Sequence, residues 1–429
     1  MKHTFYPRLD EQVRRHRLSN GLEVCVVKKP GFARKCAYFV TDFGSVHTSF
    51  TLDGKTVTTP AGVAHYLEHK MFDMPDGRDI TEEFAALGAN VNAFTTYDMT
   101  AYYFSCTERF QESLELLLEF VSTPYFTEES VDKERPIIAQ EILMYDDSPE
   151  SRLFEEMNRM LYRHHPLREP ISGTVESIEE ITPELLYECY RAFYRPGNMM
   201  LCVAGDVDEN EVLAVAERML PRESGAPVQV HLGPEEEMAP VENLRRFFMD
   251  VAMPGFQLGI KCPAGRTGED FAHWELVAEL ACEALMGESS GLYLRLYEEG
   301  LIDSAFGWGV ETITGSAMVV VGGDSYQAEQ VRDAILEEAA RLARTGISRE
   351  EFTRMKRSFL GRRVKDLDSF ESTCYRLCAY HFEGFDYLRF PEQFDSVRVE
   401  ELQEFLRDYI LADRCAMAIV EPRQGKEEE

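Results

Sequence analysis

His65, Glu68 and His69 stand in the order H-x-x-E-H within Gly62-Val63-Ala64-His65-Tyr66-Leu67-Glu68-His69. On a helix the two histidines fall one turn apart on the same face. Two neutral imidazoles at that spacing can chelate one zinc ion. Glu68 comes three residues after His65, so its carboxylate reaches water in the open position of such a metal. Zinc lowers the pKa of that water and polarises a peptide carbonyl. The carboxylate then takes the water's proton and passes it to the leaving amine. The bland alternative is two surface histidines with a carboxylate neighbour. A third protein ligand is needed, and Glu134-Arg135-Pro136-Ile137-Ile138-Ala139-Gln140-Glu141 offers one. Its two glutamates are two helical turns apart on nearly one face. Ile138 and Met144 share that face, so at least one carboxylate is expected to point inward, where it is costly unless paired or metal-bound. A solvated acidic helix is the alternative for this pair.

Elements with the right periodicity surround these residues. Ser19-Asn20-Gly21 marks a hairpin between Arg15–Leu18 and Leu22–Val27. Ala37–Phe43, Thr100–Cys106 and Met199–Val207 read as strands, and Glu108–Val121, Glu128–Tyr145 and Glu150–Tyr162 as helices. Thr182 caps a further helix that has Pro183 at its first position. Arg222 to Pro240 is rich in Pro, Gly and Glu and lacks periodicity, as a linker does. Beyond it the order recurs. Strands lie in Arg245–Cys262 and Ser304–Gly323, and helices at Glu269–Met286, Gln327–Arg344, Arg349–Lys365, Ser369–Phe382 and Val399–Ile410. A strand follows at Cys415–Val420. An offset of 221 residues sets Asp147-Ser148 against Asp368-Ser369. The expectation is a duplicated α+β fold: residues 1–221 and 241–429 as two domains, each an antiparallel sheet flanked by helices, joined by a linker at 222–240.

The chain has 429 residues, 45 Lys and Arg against 76 Asp and Glu, and a net charge of −31. Nucleic-acid phosphate would be repelled, whereas basic peptides would be attracted. Ten cysteines, none in a C-x-x-C pair, read as small buried hydrophobes in a reducing compartment. The first ten residues hold no secretory signal and no window approaches 18 apolar residues, so the expected setting is cytoplasmic, without a membrane span.

Ala64-His65-Tyr66-Leu67-Glu68-His69-Lys70-Met71-Phe72 resembles the inverted zinc motif of the pitrilysin family, particularly its small bacterial processing-peptidase-like members. Gly88-Ala89-Asn90-Val91-Asn92-Ala93-Phe94-Thr95 is similar to that family's substrate-binding strand, and Glu134 through Glu141 to its third-ligand helix. His165-Pro166 and Gly173 fit a further family segment. The resemblance implies that His65, His69 and Glu141 bind one zinc ion per chain, that Glu68 is general base and then acid, and that Glu134 orients a ligand histidine. It implies that an extended peptide pairs with the strand at Asn92 and Ala93. It also implies two such chains closing a chamber in which short or unfolded peptides are hydrolysed at internal bonds.

The second half departs from a catalytic copy. At the 221-residue offset Glu141 falls on Arg362, which cannot ligate zinc. Active family members carry an Arg and a Tyr seven apart around Gly-Leu, and here Leu296 and Asp303 stand at those places. The chain therefore resembles the zinc-bearing partner of a heterodimer, with a zinc-less paralogue supplying Arg and Tyr. A homodimer is the rival. A non-catalytic scaffold or assembly subunit and a dedicated maturation protease for one precursor peptide are the alternative functions.

Overall fold

Central strands of this chain are apolar on both faces. In Glu23–Lys28, Val24 and Val26 enter the core on one side, and the alternating Cys25 and Val27 are as deeply buried on the other. Such a strand must be covered by helices twice. The structure, a computed structural model, describes residues 2–225 and 227–423, which divide into two compact units.

The first unit comprises residues 1–142, 170–232 and 363–389. Its seven-stranded sheet runs, in spatial order, Lys2–Tyr6, Glu11–Arg17, Glu23–Lys28, Met199–Gly205, Lys35–Thr41, Thr100–Cys106 and Asn90–Thr95. Glu23–Lys28 and Met199–Gly205 are parallel, and all other neighbours are antiparallel. A smaller sheet joins Gln229–Val230 to Ser49–Leu52 and Lys55–Thr58, so the expected linker contributes a strand. The second unit comprises residues 143–169, 233–362 and 390–429. Its sheet runs Leu244–Met249, Cys415–Pro422, Gly255–Cys262, Ser316–Asp324 and Gly307–Ile313.

Counted along the chain, the five strands of this second sheet lie in the order first, fifth, second, fourth, third, with one parallel pair between first and fifth. The five strands from Glu23–Lys28 to Asn90–Thr95 have the same order and the same parallel pair. The duplication expected from the sequence is thus present strand by strand. Each of these two sheets is antiparallel, as expected, apart from this one parallel pair. A parallel pair needs a long crossover, and the helices between the first and fifth strands of each half supply it.

The units do not follow the halves of the sequence. Pro149–Leu161 packs on Gly255–Cys262 and Cys415–Pro422 of the second unit. Phe370–Phe382 packs on Lys35–Thr41 and Met199–Gly205 of the first. Ser148 and Ser369, which the 221-residue offset superposes, cap these two helices by accepting from the amides of Ser151 and Ser372. Under the exchanged helix of the first unit, Cys36 Sγ lies 3.7 Å from Cys374 Sγ, and Cys25, Cys202 and Cys378 are buried nearby. All ten cysteines are free and buried. Among the described residues no helix is long and apolar enough to cross a membrane.

Candidate metal centre

Gly62 opens the helix Val63–Lys70 with φ 91°, and a Cβ there would lie 2.4 Å from the Ser172 carbonyl oxygen. Only glycine satisfies both the left-handed backbone and this close approach. The helix then carries His65 and His69 one turn apart with Glu68 next to His69, and Ala64 and Leu67 are fully buried beneath.

The helix Glu128–Asp146 brings Glu134 and Glu141 to the same place. His65 Nε2 lies 3.5 Å from one Glu141 oxygen and His69 Nε2 lies 3.3 Å from the other. His65, His69 and Glu141 each offer a ligand atom within 4.8 Å of the others. On its far nitrogen, His69 Nδ1 donates to Glu134 Oε1 at 3.0 Å. That bond fixes the ring orientation and directs Nε2 toward the other ligands. Two imidazoles and one carboxylate converging in this way form the donor set of a zinc site with an open fourth position, so these residues fit zinc.

The electrostatics follow from the same contacts. Burial alone would depress His69, but the Glu134 and Glu141 carboxylates outweigh it and hold its pKa at about 9. Hydrogen bonds from His65 and His69 hold Glu141 well below the usual carboxylate range, and the His69 bond lowers Glu134 against its burial. Glu68 is 8% exposed, and burial raises its pKa against the opposing Thr95 hydroxyl and the two imidazoles.

Thr95 is a residue whose role sequence reading missed. Its hydroxyl donates to Glu68 Oε2 at 2.6 Å, tying one carboxylate oxygen and leaving the other free to turn toward the ligands. It ends the strand Asn90–Thr95, the outermost strand of its sheet. Asn92 and Ala93 lie on that strand, with Asn92 exposed and its Oδ1 accepting from the Ala93 amide at 2.9 Å. The expected inward face of the Glu134–Glu141 helix needs correction. Ile138 is fully buried, but Met144 is 61% exposed, as is Ile137 at 57%. The two carboxylates sit at the margin between the core face and an open face.

In the second unit, Leu296 on the helix Gly291–Glu298 is fully buried. Its neighbours Arg295 and Tyr297 are exposed to either side. The position expected for Arg is a core position in this chain.

Residues 57–175 match the model of Insulinase (Peptidase family M16), and residues 180–359 match that of the Peptidase M16 inactive domain. The chain is 36% identical over 425 residues to YmfH of Bacillus subtilis (strain 168), described as an uncharacterized zinc protease, covering 97% of this chain and 98% of the relative. It is 28% identical over 388 residues to a zinc protease, also described as uncharacterized, from Mycobacterium leprae (strain TN), covering 86% of this chain and 84% of the relative. A solved structure from Alicyclobacillus acidocaldarius, described as an M16-like peptidase, superposes with a TM-score of 0.92 at 33% identity, covering 96% of this chain and 99% of that one. With both domain models matched in tandem and a full-length relative at this identity, the chain belongs to peptidase family M16, the pitrilysin family.

Proposed function

We propose that this chain is a zinc-dependent metalloendopeptidase acting on short or unfolded peptides within a closed chamber. The observation that carries the reading is the convergence of His65, His69 and Glu141, with Glu68 beside them held by Thr95. One zinc ion per chain would be held by those three ligands, with Glu134 orienting His69. Bound zinc would polarise a peptide carbonyl and make water more acidic. Glu68 keeps one oxygen in the Thr95 bond and offers the other to accept a proton from the attacking water and return it to the leaving amine. Its burial raises its affinity for that proton, which suits the first transfer, from the water.

An extended substrate pairs with the outer edge of Asn90–Thr95, where a peptide carbonyl takes the place of Asn92 Oδ1 on the Ala93 amide. Backbone pairing reads few side chains, and the charge of −31 favours basic peptides. The core position of Leu296 supports a heterodimer in which a zinc-less paralogue supplies Arg and Tyr; a homodimer without that pair is the rival. Ten free, buried cysteines support a reducing, cytoplasmic setting. Maturation of one precursor peptide is a narrower form of the same activity. The intact Glu68 and complete ligand set weigh against a purely scaffolding subunit.

The test pairs metal content with hydrolysis of a quenched basic peptide, for wild type and Glu68→Gln, each alone and with a zinc-less paralogue. Both proteins should hold about one zinc, and the variant should lose cleavage by at least about 10²-fold. Equal cleavage by the variant, or a wild-type chain without zinc, would overturn the reading.

A further inference from the structure

One residue on from each ligand histidine, the helix Val63–Lys70 carries a polar side chain buried away from water. Tyr66 is fully buried and Lys70 is 1% exposed. The Tyr66 hydroxyl donates to the Val131 carbonyl at 2.5 Å, and Lys70 Nζ donates to the Ser130 carbonyl at 3.0 Å. Asp73 completes the ammonium's partners as its ion pair. Tyr66 and Lys70 are therefore an i, i+4 stripe beside the His65, His69 stripe, and both stripes face one helix, Glu128–Asp146.

The two acceptors are consecutive carbonyls in the first turns of that helix. Pro136 follows within it. A proline inside a helix lacks an amide and crowds the carbonyl four residues back, here that of Asp132. The helix thus loses part of its own ladder just past Ser130 and Val131, and between there and Glu141. Its path at this point depends on outside contacts.

Burying an ammonium is costly, and an apolar side chain of similar volume would cover the same surface without that cost. Stability alone does not explain Lys70 where it stands. We infer that Tyr66 and Lys70 form a clamp that sets the separation of the two ligand-bearing helices, and so the placement of both imidazoles against Glu141. They are positioning residues for the metal centre. The inference rests on the zinc reading above and adds to it two residues that bind no metal.

The experiment measures the zinc dissociation constant of the full chain by competition with a chromogenic chelator, for wild type, Tyr66→Phe and Lys70→Met. The unfolding midpoint of each metal-free protein is measured beside it. Disturbing the groups that hold metal ligands typically weakens binding by roughly 10–100-fold. Lys70→Met should weaken zinc about tenfold or more and Tyr66→Phe by several-fold, while the metal-free midpoints stay close to wild type. If both variants bind zinc within about twofold of wild type, or lose metal-free stability alone, the clamp is refuted. Should Lys70→Met fail to fold, Tyr66→Phe, which removes a single oxygen, decides. A wild-type chain that binds no zinc overturns the metal reading itself, and the clamp with it. Loss in the variants against a zinc-binding wild type speaks to the clamp.

Discussion

Replacing Gly62 by alanine should damage the metal centre from outside it. Two terms can be worked separately. At φ 91° an L-residue adopts a left-handed backbone at a cost of about 1–2 kcal/mol. The added Cβ would also lie 2.4 Å from the Ser172 oxygen and 2.9 Å from its carbonyl carbon, where ordinary contact begins at 3.4 Å. Both neighbours are backbone, so no rotamer relieves the overlap, and one segment must retreat by about 1 Å. Overpacking of this kind costs about 1–3 kcal/mol. The sum is about 2–5 kcal/mol. Gly54 separates the terms, because its φ is 77° and nothing lies within 4 Å of its Cβ position. Gly54→Ala should therefore lose only the backbone term. The assay is urea unfolding followed by far-ultraviolet circular dichroism, since Trp274 and Trp308 both lie in the second unit and tryptophan fluorescence would not see the first. If Gly62→Ala were no less stable than Gly54→Ala, the steric reasoning would be wrong.

Two further outcomes are expected. Thr95→Val removes the hydroxyl that donates to Glu68; a hydrogen bond to a charged group is worth about 1.5–3 kcal/mol. Turnover should fall about tenfold or more with zinc content unchanged, and Thr95→Ser should restore it; a serine variant as slow as valine would sink the idea. His47 is buried, accepts from the Gly44 amide at 2.9 Å, and has its pKa lowered from 6.5 to about 4 by burial. The folded state therefore binds its proton later than the unfolded state, so the stability that neutral His47 provides is complete above pH 6.5 and lost as pH falls toward 4. His47→Asn should cost about 2 kcal/mol less at pH 5 than at pH 7.5, and a pH-independent difference would exclude this titration.

Much of this molecule could be read from its residues, for identifiable reasons. Strong periodicity placed the strand Thr100–Cys106 and the helix beginning at Glu128 where they are observed. Thr182 caps its helix as expected by accepting from Leu185 N. H-x-x-E-H is local, so its geometry follows from helical spacing alone. What escaped was non-local. Thr95 meets Glu68 across a strand-to-helix gap that no spacing rule encodes. Apolar periodicity shows that a helix has a buried face, but not which sheet receives it, so neither exchanged helix was foreseen. The same limit misplaced Met144, because an apolar residue on an open face looks in sequence like one in the core.

The exchange of Pro149–Leu161 and Phe370–Phe382 has a consequence for synthesis and for dissection of the chain. The first unit cannot be completed as it leaves the ribosome, because the cysteine-lined face of its sheet stays uncovered until residues 363–389 are made. A cut in the connecting segment would likewise not release two autonomous modules. Each fragment would keep one helix with no sheet beneath it and one sheet face with no helix above it. Such fragments are built to complement one another, and co-expressed halves should recover a nicked, native-like protein where either half alone exposes apolar surface and aggregates.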